Sequence, residues 1–284
     1  MPKATLLNGI TIAYEIIGDG DKNAILTPGG RFSKDTPGMR EFAQALAKHG
    51  YRTVIWDRPN CGESDICFEY ESESLLNADM LAALLTHLDM TPALLFGGSA
   101  GGRVSMLAAI RHPEIARKLV FNWLTGGSTG LAVLVGVYCG GLERAAKTGG
   151  MEAVVAHADL AECIARNPAN RDRLLAYDAD EFAGIMQAWG WSFFPKPGSP
   201  IPDMKREDYP RIKVPTLIFR SSQEDFSHPR FVSEQVHELI PGSTMVDPPW
   251  PGREWEHRVD DGLGLFRNWS QLTPQIVEFD KATG

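Results

Sequence analysis

Nine residues, Leu94-Leu95-Phe96-Gly97-Gly98-Ser99-Ala100-Gly101-Gly102, constrain the fold of this chain more than any other stretch. A short apolar run (Leu94 to Phe96) ends in glycines, and an Ala- and Met-bearing segment from Ser99 to Arg111 follows with helical character. A G-x-S-x-G pattern at such a junction predicts a turn so sharp that the backbone at Ser99 is strained and only small neighbours fit around it; Gly97 and Gly101 supply that room. The turn would raise the Ser99 hydroxyl above the carboxyl edge of a sheet, at the positive end of the next helix. A phosphate-binding loop is disfavoured, because neither G-x-G-x-x-G spacing nor a G-K-[ST] lysine is present.

The rest of the chain supplies the sheet. Thr5 to Leu7 and Ile10 to Ile17 flank Asn8-Gly9, which readily takes positive φ, and they read as an antiparallel edge hairpin. Strand-like runs at Ala24 to Thr27, Thr53 to Trp56, Leu94 to Phe96 and Leu119 to Phe121 alternate with helical segments at Pro37 to His49, Ser74 to Leu88 and Ser99 to Arg111. This βαβ order predicts a mostly parallel sheet flanked by helices. From Gly126 to about Pro202 the strands stop, and segments such as Gly141 to Lys147, Met151 to Ala165 and Asp178 to Ala188 predict short helices. The alternation resumes at Thr216 to Phe219, Pro229 to Leu239 and Thr244 to Val246, so residues 1–125 and 203–284 are expected to form one core domain interrupted by a helical insertion at 126–202.

Composition limits what this fold can serve. With 28 Lys+Arg against 36 Asp+Glu the formal charge is −8 and the basic residues do not cluster, which argues against nucleic acid as a partner. The longest strongly apolar run, Gly130 to Gly141, is shorter than the ~18 to 20 residues of a membrane span. No export signal is recognisable at the N-terminus, so a cytoplasmic protein is expected. Four unevenly spaced cysteines and scattered histidines predict neither a disulfide framework nor a metal site, and no cofactor is expected.

The sequence resembles the α/β-hydrolase superfamily. The match rests on Pro28-Gly29-Gly30 as an early oxyanion loop, on Trp56-Asp57-Arg58-Pro59-Asn60-Cys61-Gly62-Glu63-Ser64 as a D-x-R-G-x-G-x-S-like segment, and on Gly97 to Gly101 as a nucleophile elbow; Pro28 and Pro59 replace residues that are often His and Gly. The resemblance implies an eight-stranded, mostly parallel sheet with a helical cap at 126–202. It also implies Ser99 as nucleophile and the N–H groups of Gly30 and Ala100 as oxyanion donors. Asp225, in Ser221 to Pro229 after the strand at 216–219, matches the acid position, with Glu224 as the alternative. His257, the only histidine after the last strand, is the expected base, although it lies a few residues later than the family places its own. His228, three residues from Asp225, reads as too local to bridge acid and nucleophile.

The implied activity is that of a serine hydrolase acting on a small to medium hydrophobic ester, lactone or related carbonyl compound through an acyl-enzyme. Alternatives on the same scaffold are a C–C bond hydrolase, or a lyase, cyclase, cofactor-free oxygenase or ligand-binding protein in which Ser99 only positions a ligand. Trp123, Trp189, Trp191, Phe193 and Phe194 are expected to line an apolar substrate pocket, and Arg31 to meet a substrate carboxylate. A monomer or homodimer would serve equally.

Overall fold

The computed structural model describes residues 1–250 and 264–284. Its sheet comprises β1 (Lys3–Thr5), β2 (Thr11–Ile17), β3 (Lys22–Thr27), β4 (Tyr51–Trp56), β5 (Ala93–Gly98), β6 (Ala116–Asn122), β7 (Thr216–Phe219) and β8 (Thr244–Val246). Their spatial order is β1-β2-β4-β3-β5-β6-β7-β8. Only the β1–β2 and β2–β4 pairs are antiparallel; every pair from β4 to β8 is parallel. The edge hairpin forms with Asn8 and Gly9 at positive φ (55° and 77°), but its first strand is Lys3–Thr5 rather than the expected Thr5 to Leu7, because Leu7–Gly9 is taken up by a 3-10 turn.

Strand alternation sets the two layers of core. Leu94 and Phe96 of β5 pack with Leu26, Ile55 and Val120 against α1 (Met39–Ala47) and the C-terminal helix Thr273–Ala282. Leu95 points to the other face and packs with Ile25, Val54 and Phe121 against α2 (Glu73–His87) and α3 (Ala100–Arg111). Each such Leu, Ile or Phe, fully withdrawn from water, is worth about 1.5 to 3 kcal/mol before entropy is counted. Because the central strands are buried on both faces, their sequences are continuously apolar rather than alternating.

Between β6 and β7 the chain forms helices only: α4 (Ser128–Val135), a single π-helical turn (Gly136–Gly140), α5 (Gly141–Val155), α6 (Ala158–Arg166), α7 (Ala169–Leu175) and α8 (Ala179–Ser192). The break expected between Lys147 and Met151 falls at Gly150, whose φ of 66° and ψ of −166° are not helical, so α5 is two helical segments joined at a sharp kink. The apolar run from Gly130 becomes α4 and the π turn. No helix among the described residues is long and apolar enough to cross a membrane.

All four cysteines are free and buried. Burial pushes the Cys61 and Cys139 thiols up to about 12 and that of Cys163 to about 11.

Candidate functional site

The turn between β5 and α3 carries the strain its sequence predicts. Ser99 has φ 54° and ψ −123°, a region that side chains rarely occupy. Packing enforces it: a β-carbon on Gly97 would lie 2.3 Å from the Gly101 carbonyl oxygen, and one on Gly101 would lie 2.0 Å from that of Thr27. With no side chains there, α3 closes on β3 and β5, and Ser99 is forced outward at the carboxyl edge of the central strands. The Ser99 amide is tied to the Asn122 carbonyl at 3.0 Å, which fixes the turn to the end of β6.

The segment Asp57 to Ser64 braces the neighbouring loop. The Asp57 carboxylate accepts from the amides of Lys34 (2.6 Å) and Glu63 (2.9 Å) and pairs with the fully buried Lys34 ammonium at 3.1 Å. Arg58 donates Nη2 to the carbonyls of Gly29 and Gly30, holding the oxyanion-loop backbone from behind. Among the described residues, the N–H groups of Gly30 and of Ala100, the first residue of α3, form no hydrogen bond with the protein.

Ser99 Oγ lies 3.0 Å from His228 Nε2 and 2.7 Å from Thr125 Oγ1. On the other side of the same imidazole, His228 Nδ1 lies 3.0 Å from Asp225 Oδ2. Asp225 and His228 are 4% and 2% exposed. Burial pushes the Asp225 carboxyl up, but hydrogen bonds from the His228 ring and the amides of His228 and Ser227 outweigh it and hold the group below its ordinary value. Ionised, Asp225 selects the tautomer with the proton on Nδ1, which leaves Nε2 a lone pair facing the serine. A carboxylate–imidazole–hydroxyl chain of this kind can withdraw the serine proton as the oxygen attacks a carbonyl.

The histidine in this chain is not the expected one. His257 lies outside the described residues, whereas His228 bonds both Ser99 and Asp225. The objection that three residues are too few to bridge acid and nucleophile fails on geometry. Asp225 Oδ1 accepts from Ser227 N (3.0 Å) and His228 N (2.9 Å), so the chain doubles back and the ring lies alongside the carboxylate. Asp225 and Ser99 then need only contact opposite edges of one imidazole. The readable signal was Asp-x-Ser-His before Pro229, an Asx turn leading into α9 (Arg230–Leu239).

Ser99 and His228 line a largely apolar cavity of about 140 Å³ with Gly30, Phe32, Thr125, Gly130, Val133, Leu134, Tyr138, Phe226 and Ser227. A larger cleft of about 350 Å³, with more polar walls, runs past Trp123, Arg220, Asp225, Asp247 and Trp250 on the far side of the acid loop, but it does not include Ser99. Of these two cavities, the smaller is the one whose wall includes Ser99 and His228.

Most of the aromatic residues expected in the pocket lie elsewhere. Trp123 stacks on His228, ring centres 5.6 Å apart and planes 20° apart, and so packs against the imidazole rather than the cavity. Trp189 is buried against Phe68 at 5.2 Å and donates Nε1 to the Tyr70 carbonyl. Phe193, one helical turn on, is also buried, between Tyr138 and the Arg103 guanidinium. Trp191, two residues from Trp189 and hence on the opposite side of α8, is 67% exposed and rests on the exposed Phe194. Arg31 also turns away from the cavity: its Nε pairs with Glu73 at 3.0 Å and its Nη2 donates to the Tyr138 carbonyl. The lining comes instead from α4 and the π turn.

Comparison with solved structures supports the architecture over the full chain. An enol-lactonase from Burkholderia xenovorans superposes with a TM-score of 0.62 at 20% identity, covering 99% of this chain and 100% of that one. The chain has the α/β-hydrolase fold. A family model described as the alpha/beta hydrolase fold matches residues 29–124. Other structures with this fold include a thermophilic esterase from Thermogutta terrifontis (TM-score 0.64, 19% identity, 99% and 98% coverage) and a meta-cleavage product hydrolase from Pseudomonas fluorescens (TM-score 0.62, 20% identity, 100% and 98%). By sequence, the chain is 30% identical over 138 residues to a 2-hydroxy-6-oxononadienedioate/2-hydroxy-6-oxononatrienedioate hydrolase of Escherichia coli. That match spans 48% of this chain and 46% of the relative.

Proposed function

We propose that this α/β-hydrolase-fold protein is a serine hydrolase that cleaves a small hydrophobic ester, lactone or related carbonyl compound. The observation that carries the reading is the chain from buried Asp225 through buried His228 to Ser99, set beside the N–H groups of Gly30 and Ala100, which have no protein partner among the described residues. His228 Nε2 takes the Ser99 proton as Oγ bonds to the carbonyl carbon, and the carbonyl π electrons move onto oxygen, where Gly30 and Ala100 N–H donate to it. As the carbonyl re-forms, the bond to the leaving group breaks and that group takes the proton from His228. Water, deprotonated by the same imidazole, then releases the acyl group and restores Ser99. The cavity's modest volume, below the several hundred Å³ of pockets for drug-sized ligands, favours a short acyl portion.

A second reading, C–C bond hydrolysis by the same residues, is favoured by the partial sequence match to the E. coli hydrolase. A fluorophosphonate probe tests what the readings share: a stoichiometric adduct on Ser99 that disappears in His228→Gln is expected, and no adduct would reject both. Turnover of p-nitrophenyl butyrate against a 2-hydroxy-6-oxo-dienoate separates them.

A further inference from the structure

The insertion brings one polar group to the otherwise apolar wall facing Ser99. Tyr138 sits in the π-helical turn Gly136–Gly140, a rare distortion that recurs at functional sites. Three contacts fix its position. Its carbonyl accepts from Arg31 Nη2 at 3.2 Å, the Arg31 guanidinium lies 5.2 Å from its ring centre, and the Phe193 ring stacks on it at 6.3 Å. Phe193 is held in turn by the Arg103 guanidinium at 4.7 Å, itself only 5% exposed.

The phenol tip ends at the oxyanion loop. A β-carbon placed on Gly30 would lie 2.9 Å from Tyr138 Oη, so the hydroxyl rests against the residue whose N–H is one of the two unpartnered donors. Among the described residues no protein group accepts a hydrogen bond from this hydroxyl, yet it lines the same cavity as Ser99. A tyrosine hydroxyl in apolar surroundings ordinarily finds a partner, because leaving it without one costs free energy. Burial raises the Tyr138 pKa, which keeps the group a neutral donor.

We propose that the Tyr138 hydroxyl is a third hydrogen-bond donor to the substrate oxygen that becomes the oxyanion, supplied by the insertion alongside the N–H groups of Gly30 and Ala100. The inference rests on the serine-hydrolase reading above. Tyr138 keeps its proton throughout: it donates to the oxygen as the electron pair arrives there and remains in contact as the carbonyl re-forms. The fold therefore divides the oxyanion site between the sheet, which provides two fixed amides, and the insertion, which provides a side chain anchored by Arg31. Substrates whose reacting carbonyl is shielded from the insertion side would lose the third donor and react more slowly.

Tyr138→Phe removes one oxygen while keeping the ring between Arg31 and Phe193, so the variant should melt at the wild-type temperature. With p-nitrophenyl butyrate its kcat is expected to fall about 10- to 100-fold with KM within about twofold, as for loss of a donor that acts mainly in the transition state. Phosphonylation of Ser99 should slow by a similar factor, because the P=O oxygen occupies the oxyanion position. An unchanged kcat, or a loss expressed wholly in KM, overturns the inference. If wild-type protein labels and Tyr138→Phe labels equally fast, the inference alone fails; if the wild type does not label, the hydrolase reading fails and the inference with it.

Discussion

Replacing Asp225 by Asn tests the proposed mechanism at its most specific point, because the two carboxylate oxygens have separable duties. Oδ1 accepts from the amides of Ser227 and His228, and Oδ2 faces His228 Nδ1. In the variant, the carboxamide can keep its oxygen on the two amides, which turns its NH2 toward Nδ1. That nitrogen must then accept, and the imidazole proton moves to Nε2, where it points at Ser99 and blocks proton removal. The opposite flip restores the tautomer but sets an NH2 against two buried N–H donors. At about 1 to 3 kcal/mol for each lost bond, that orientation costs roughly 4 kcal/mol, a population of about one in a thousand. A loss of kcat/KM of about 10³ to 10⁴-fold follows, with little change in KM for a substrate that never touches Asp225. Steady-state turnover of p-nitrophenyl butyrate and a thermal melt suffice to measure it. A folded Asp225→Asn variant within tenfold of wild type would refute the tautomer argument and, with it, the place of Asp225 in the chain.

Three further outcomes are expected. His228→Gln should lower kcat by about 10³-fold or more while His257→Gln stays within about threefold; the reverse order would return the base to the segment after β8. Ser99→Gly and Ser99→Ala both remove the hydroxyl, but only glycine tolerates φ 54° with ψ −123°, so urea denaturation should show the glycine variant more stable by about 1 kcal/mol, and an equal or less stable glycine variant would mean the elbow is unstrained. Asp79 is pushed up by burial, but hydrogen bonds from Arg111, Tyr70 and His112 outweigh that and hold its pKa at about 2. Because its folded value lies below its unfolded value, its contribution of about 2 kcal/mol is complete above about pH 5 and is lost as pH falls toward 2. Asp79→Asn should flatten the fall of unfolding free energy across that window, and an unchanged slope would contradict the assignment.

Local rules made the core legible. Continuous apolar runs marked the buried parallel strands, Asn8-Gly9 marked the hairpin, and the glycines around Ser99 marked a turn that the structure strains as expected. That Asp225 lies at the site was legible because it follows a strand at the carboxyl edge of the sheet. His228 was not, because its contact with both Asp225 and Ser99 depends on an Asx turn that folds three residues back on themselves, and sequence distance is a poor guide across such a turn. The aromatic residues of α8 were misplaced for a related reason: which side of a helix faces inward depends on what packs against it, and Trp189 and Trp191 lie on opposite sides. Tyr138 had no local signature, since it reaches the site only through the π turn and the contact with Arg31.

The four enclosed cysteines make the molecule report on its own integrity. A thiol-reactive dye at neutral pH meets no exposed sulfur in the described fold, and the raised pKa values leave little thiolate to react. Dye uptake therefore counts opening events. Cys139, beside Tyr138 in the π turn, would register loosening of the insertion, and Cys61, in the loop behind Gly30, would register loosening of the sheet edge, so the order in which the two are modified would show which half of the site gives way first.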